Sequence, residues 1–68
     1  MKVLIVEDTL ELANSLLSFF DLDGHIADHA LDLSAAYDYI AVSHYDIILL
    51  DIMLPDGDGR EFLKKIRG

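Results

Sequence analysis

Tyr45–Gly59 reads YDIILLDIMLPDGDG, and the order of residue types within it decides how the whole chain is read. Asp46–Leu50 is apolar and rich in β-branched residues through its centre, with no alternation of polar and apolar positions. A strand apolar on both faces belongs to a parallel sheet covered by helices. Asp51 follows at once, so a carboxylate stands at the carboxyl end of that strand. Pro55 and Gly59 come four and eight residues later. Proline fixes φ and removes a backbone donor, and glycine permits conformations other residues avoid, so this stretch is a shaped loop. Asp58-Gly59-Arg60-Glu61 matches a capping box, with Asp58 as cap and Glu61 reaching back. It opens a helix whose buried face is Phe62, Leu63 and Ile66. Lys64, Lys65 and Arg67 lie towards its C-terminus, where the helix dipole favours cations.

Upstream, Lys2–Val6 has the same strand character and is followed by Glu7-Asp8. Leu12, Leu16 and Phe20 recur at i, i+4 with Ala13 and Leu17 beside them, which predicts an amphipathic helix over Leu10–Leu22. Thr9 or Asp8 caps it and Asp23-Gly24 stops it. Leu33, Ala36, Tyr37 and Ile40 share a face of a second helix, with Asp32 as its cap. Between the helices, His25–Ala30 is expected to form a short strand, although Ile26 is its only strongly apolar residue. The predicted order is β-α-β-α-β-α. Right-handed crossovers place such strands in one sheet with helices on both faces. The fold class is therefore α/β, a flavodoxin-like doubly wound parallel sheet of strand order 2-1-3. Its functional crevice lies between strands one and three.

That topology brings Glu7, Asp8 and Asp51 to one edge of the sheet. Two unit charges about 4 Å apart repel by roughly 4 kcal/mol at an effective dielectric of 20. Three clustered carboxylates therefore call for protons or a cation. Mg²⁺ suits them, because it takes one or two carboxylates, keeps several waters and accepts phosphate oxygens. A carboxylate beside such an ion can attack phosphorus and form an aspartyl phosphate. Spacing alone leaves a plainer reading open, in which these acids are solvated loop residues.

The composition narrows the function classes. The 68 residues carry thirteen acids against five bases, a net charge of −8, and no Lys or Arg occurs between Val3 and Gly59. A surface of that sign repels phosphate backbones, so nucleic-acid binding by this segment is not expected. There is no cysteine, hence no disulfide or thiolate metal site. No apolar run approaches the length of a signal-peptide core or a membrane span. A soluble, cytoplasmic protein without a membrane partner is expected.

Met1–Asp8 (MKVLIVED) and Tyr45–Gly59 together resemble the two signature blocks of bacterial two-component response-regulator receiver domains, the CheY-like family. The Asp-Gly turn before strand two and the EFLKKIR run of helix three extend the resemblance over the whole chain. It is closest to the type that carries a winged-helix DNA-binding output domain. The resemblance implies a phospho-acceptor module that takes a phosphoryl group from a sensor histidine kinase with Mg²⁺ as cofactor. It implies Asp51 as phospho-acceptor, Asp8 and Asp51 as direct metal ligands, and Glu7 as a ligand through water. Met53 matches the position whose backbone carbonyl completes the protein ligands. Pro55 and Gly59 match the residues that shape the loop into helix three. Activity would be limited to accepting this group, so the chain is not expected to be an enzyme in the ordinary sense.

The family's sheet has five strands, and residues 1–68 match its first three βα units, a partial receiver domain. The strand-four Ser or Thr, the strand-five Lys and the aromatic switch residue have no counterpart in this chain. Lys64 and Lys65 sit on the wrong element to replace them. Phosphoryl acceptance is thus expected to be impaired. An alternative reading is a folding or assembly fragment that self-associates and does not signal. In either case the unpaired outer edge of strand three is expected to join a second copy, giving a homo-oligomer, most simply a two-fold dimer. A haloacid-dehalogenase-type phosphatase would also place an Asp after an apolar strand. It resembles a D-x-D pattern, and Met53 occupies the second position here.

Other polar residues have plainer expected roles. His25, His29 and His44 read as surface or boundary histidines, since structural zinc sites need four ligands. Asp56 and Asp58 read as turn and cap residues. Tyr37, Tyr39 and Tyr45 read as packing aromatics.

Overall fold

The computed structural model describes residues 1–67. Strand β1 (Lys2–Val6) is central, with β2 (Ile26–Ala30) on one side and β3 (Ile47–Leu50) on the other, all parallel, in the order β2-β1-β3. The helices α1 (Leu10–Leu22), α2 (Leu33–Val42) and α3 (Gly59–Arg67) follow the three strands in turn. Two-residue strands β4 (Met53–Leu54) and β5 (Gly57–Asp58) pair antiparallel in a separate hairpin between β3 and α3. They form no part of the parallel sheet.

Val3, Leu4, Ile5 and Val6 are completely or almost completely buried. Their alternation divides the two faces of the sheet. Leu4 and Val6 join Ala30, Leu33, Ala36, Leu54 and Phe62 in one core under α2 and α3. Ile5 faces the other way, beside Leu12 and Leu16 of α1. Full burial of Phe62, whose ring centroid lies 4.8 Å from that of Tyr37, contributes on the order of 1.5–3 kcal/mol.

Strand β2 is held by its ladder to β1 more than by its own side chains, because Ile26 is exposed to solvent. His25, expected at its start, precedes it. Tyr45 braces the sheet from below. Its hydroxyl donates to Asp28 Oδ2 at 2.5 Å, linking the approach to β3 with β2 on the far side of β1. Burial first, and then the Asp28 carboxylate, push the Tyr45 hydroxyl up to about 12.

The C-terminus of α1 and the N-terminus of α2 follow the sequence signals closely, whereas Thr9 stands at the N-cap of α1 without a side-chain capping hydrogen bond. At the end of α1, Gly24 takes φ +80°, the His25 N–H bonds the Phe20 carbonyl at 2.9 Å, and the Gly24 N–H bonds that of Asp21 at 3.1 Å. This is a Schellman stop, which needs glycine at the left-handed position. Asp32 caps α2 through the Ala35 N–H at 2.8 Å. At the start of α3 the capping box forms differently. Asp58 Oδ1 accepts from the Arg60 N–H at 2.8 Å, and its carboxylate is also bound by the Arg60 guanidinium. Phe62 and Ile66 face inward as expected, but Leu63 is exposed, being about 100° further round the helix than Phe62.

Candidate functional site

Glu7 and Asp8 directly follow β1 and Asp51 directly follows β3, so the parallel register sets their separation. Val6 pairs with Leu50, and one further ladder bond, from the Asp51 N–H to the Val6 carbonyl at 3.0 Å, carries the pairing into the site. On the other side the Glu7 N–H bonds the Ala30 carbonyl at 3.0 Å. His29 Nε2 lies 2.7 Å from the Glu7 carbonyl oxygen, which can only accept, so Nε2 carries the proton. The N–H and the carbonyl of Glu7 are thereby both held by β2.

Carboxylate oxygens of Glu7, Asp8 and Asp51 all lie within 4.8 Å of one another. The sequence expectation that these three converge is met in the geometry. Glu7 is buried, Asp51 half-buried and Asp8 exposed, so the cluster opens to solvent at one end. Burial raises the Glu7 carboxyl above its ordinary value. The Asp51 carboxyl beside it adds to this, and the Asp8 charge adds further, while the Thr9 hydroxyl pulls the other way. This is the signature of negative charge gathered without a counter-charge. No basic side chain is among the groups acting on Glu7. An all-oxygen donor set of this kind fits a hard divalent cation such as Mg²⁺.

Asp51 is further oriented by the loop that follows it. The Met53 N–H donates to Asp51 Oδ1 at 3.3 Å. The Gly59 N–H donates to the Ile52 carbonyl at 2.7 Å. Gly59 is buried, and a Cβ there would stand 2.4 Å from the Asp51 carbonyl oxygen and 3.2 Å from Ile52 Cα. Close backbone approach is what requires glycine at this position. Pro55 and Asp56 form the two-residue turn of the β4–β5 hairpin. Proline supplies the negative φ and Asp56 has no positive φ, so the turn is of the unprimed kind.

Neither His25 nor His29 belongs to the carboxylate cluster. His29 holds the Glu7 carbonyl, and His25 pairs with Asp23 at 3.1 Å. Beside the acidic cluster, Ile5, Leu12, Leu16, Leu49 and Leu50 line an open groove of about 370 Å³ along β3.

A family model described as the response regulator receiver domain matches residues 3–68. The chain belongs to the response regulator receiver domain family. Among curated relatives, this receiver is 37% identical over 67 residues to the transcriptional regulatory protein DltR of Streptococcus agalactiae, covering 98% of this chain and 30% of that protein. Among solved structures, it resembles a two-component response regulator from Clostridium difficile with TM-score 0.96 and 36% identity, covering 98% of this chain and 55% of that one. It also resembles the Thermotoga maritima response regulator TrrA, solved in complex with Mg²⁺-BeF, with TM-score 0.90 and 27% identity over 97% of this chain and 57% of that one. The receiver thus spans about a third of the length of such curated relatives and rather more than half of the solved chains. Among the described residues no helix is long and apolar enough to cross a membrane.

The raised Glu7 carboxyl has a measurable consequence for the cation-free receiver. A carboxyl with a raised folded pKa binds its proton more tightly in the native state, so stability rises as pH falls through that value and levels off below 4.5. Asp56 and Asp58 act oppositely. Backbone hydrogen bonds from Leu33 and Ser34 hold Asp56 below its ordinary 3.8, and the Arg60 side chain and backbone do the same for Asp58. Their contributions are lost as pH falls below 3.8. Thermal unfolding followed by circular dichroism without divalent cations is expected to give its highest midpoint at roughly pH 4–5, above the values at pH 7 and pH 3. A midpoint that climbs steadily from pH 4 to 7 would contradict the arrangement.

Proposed function

We propose that this receiver accepts a phosphoryl group on Asp51 from a sensor histidine kinase, in the presence of Mg²⁺. The observation that carries this is the convergence of Glu7, Asp8 and Asp51, with oxygens within 4.8 Å, at the carboxyl edge of a receiver fold. Asp8 and Asp51 would hold the ion directly and Glu7 through water, with the Met53 carbonyl as a further ligand. Bound there, Mg²⁺ supplies charge neutralisation for phosphate oxygens. The complex of the related TrrA with Mg²⁺-BeF supports this assignment. In the transfer an Asp51 carboxylate oxygen forms the new P–O bond as the donor's bond to phosphorus breaks, and the leaving histidine takes up a proton. Pro55 and Gly59 shape the loop that presents the acceptor. The cytoplasm, where such kinases present their phosphohistidine, is the proposed location.

Acceptance by this segment alone is expected to be slow. The family resemblance assigns a hydroxyl and a lysine to the phosphoryl group, and α3 does not replace the lysine. Lys65 Nζ sits over the Tyr37 ring, 5.8 Å from its centroid. Incubation with a small-molecule phosphodonor and Mg²⁺, followed by intact mass, is expected to show a single phosphoryl adduct. Absence of any adduct while Mg²⁺ still binds would favour the alternative, a folding or assembly fragment.

The outer side of β3 favours self-association as well. Among the described residues β3 pairs only with β1, all four of its residues are half-buried, and the groove between β3 and α1 is mostly apolar, with Glu7 and Asp51 at its acidic end. An open apolar edge of this kind invites another strand. Sedimentation is expected to show a dimer at high concentration, and a folded monomer throughout would rule this interface out.

A further inference from the structure

We propose that Asp56 is a positioning residue: by capping α2 from the turn that follows Asp51, it fixes the segment whose Met53 amide orients the Asp51 carboxylate. The hydrogen bonds are specific. Asp56 Oδ1 accepts from the Leu33 N–H at 2.8 Å and Oδ2 from the Ser34 N–H at 3.0 Å. Asp32 takes the next donor, the Ala35 N–H. The first three N–H groups of α2, which have no partner inside the helix, are thus shared between two aspartates. A turn aspartate ordinarily bonds the backbone of its own turn. Asp56 instead reaches a helix that begins 23 residues upstream, with both oxygens used. These same bonds hold its carboxyl below the ordinary range.

Packing points the same way. A Cβ on Gly57 would stand 2.9 Å from Leu33 Cδ1, so the tip of the β4–β5 hairpin rests on the first residue of α2. The base of the hairpin is fastened by the Gly59 N–H to the Ile52 carbonyl. Between these two anchors lies the Met53 amide, 3.3 Å from Asp51 Oδ1. That bond is already long, and a tilt of about 0.3 Å takes it beyond useful hydrogen-bonding range. Release of Asp56 from α2 therefore frees the tip of the hairpin that carries the Met53 amide. The geometric part of this inference stands on its own, and its effect on the cation rests on the function proposed above.

Amide resonances separate the two parts. In cation-free protein, Asp56→Ala is expected to move Leu33, Ser34 and Met53 together while the buried amides of β1 stay in place. Asp56→Asn, which keeps one acceptor oxygen, should shift Met53 less. Movement of Leu33 and Ser34 with Met53 unchanged would reduce Asp56 to a helix cap and overturn the proposal. In a Mg²⁺ titration followed at Asp8 and Met53, Asp56→Ala is expected to weaken binding about tenfold, the low end for an outer-shell partner, with most of the affinity restored in Asp56→Asn. Unchanged affinity would also overturn it. If the parent protein shows no response to Mg²⁺, the cation assignment fails, and the cation-free comparison alone decides the positioning role. Should Asp56→Ala lose its β1 resonances through unfolding, Asp56→Asn carries both comparisons.

Discussion

Asp51→Asn is expected to abolish phosphoryl incorporation while making the cation-free protein more stable. The two effects have one source. An amide cannot act as the phosphorus nucleophile, so the adduct seen by intact mass should disappear completely. The same change removes one of three negative charges from a cluster whose oxygens lie within 4.8 Å. It also removes two of the influences that raise the Glu7 carboxyl, the Asp51 hydrogen bond and the Asp51 charge. The asparagine oxygen still accepts from the Met53 N–H, so the loop keeps its anchor. The bare repulsion between charges at such distances is roughly 4 kcal/mol at an effective dielectric of 20. Asp51 is half-buried and solvent screens it, so a gain of about 1–2 kcal/mol is the reasonable scale. For a chain of this size that is a rise of roughly 4–15 °C in the unfolding midpoint. A destabilised Asp51→Asn would show that the cluster is not a site of net repulsion.

Gly59→Ala is expected to have the opposite pattern, losing fold and site together. The added Cβ meets the Asp51 carbonyl oxygen at 2.4 Å, Leu50 Cγ at 3.1 Å and Ile52 Cα at 3.2 Å. Two of these three are backbone atoms, which cannot rotate away as a side-chain tip can. Overpacking ordinarily costs about 1–3 kcal/mol, and a backbone obstruction belongs at or above the upper end. A domain of this length has little to spare, since small chains bury only about 60% of their unfolded surface. Urea unfolding should show a markedly lowered midpoint, and Mg²⁺ affinity, under the function proposed above, should fall because the displaced backbone is that of Asp51 itself. Wild-type stability in Gly59→Ala would mean that the α3 entrance lies further from β3 than described.

What the sequence made legible divides along physical lines. The apolar runs Lys2–Val6 and Ile47–Leu50 and the i, i+4 repeat of Leu10–Leu22 reappear at or within a residue of their expected bounds, because burial itself dictates those patterns. Asp32 was readable as a cap because its bond is local. The three-carboxylate cluster was readable because parallel topology forces the ends of β1 and β3 together. The β4–β5 hairpin was not read, since two-residue strands carry no periodicity, although Pro55-Asp56-Gly57 after Met53-Leu54 is a turn signal of its own. The reach of Asp56 to Leu33 and of His29 to the Glu7 carbonyl depends on tertiary approach, and no local pattern encodes it. Hydropathy alone places Leu63 in the core, whereas the helix angle places it outside.

The pairing of Val6 with Leu50, continued by Asp51 to Val6, has a kinetic side. Glu7 and Asp51 come from segments more than forty residues apart and meet only when that ladder has closed in its native alignment. A slip of one residue would displace Asp51 by about 3.3 Å and turn its side chain to the opposite face of the sheet. The acidic pocket is therefore an alignment-specific product of folding. Under the function proposed above, a cation that engages all three carboxylates would favour the correctly aligned sheet over near-native alternatives, so its binding would check the register of β1 and β3 as well as serve Asp51.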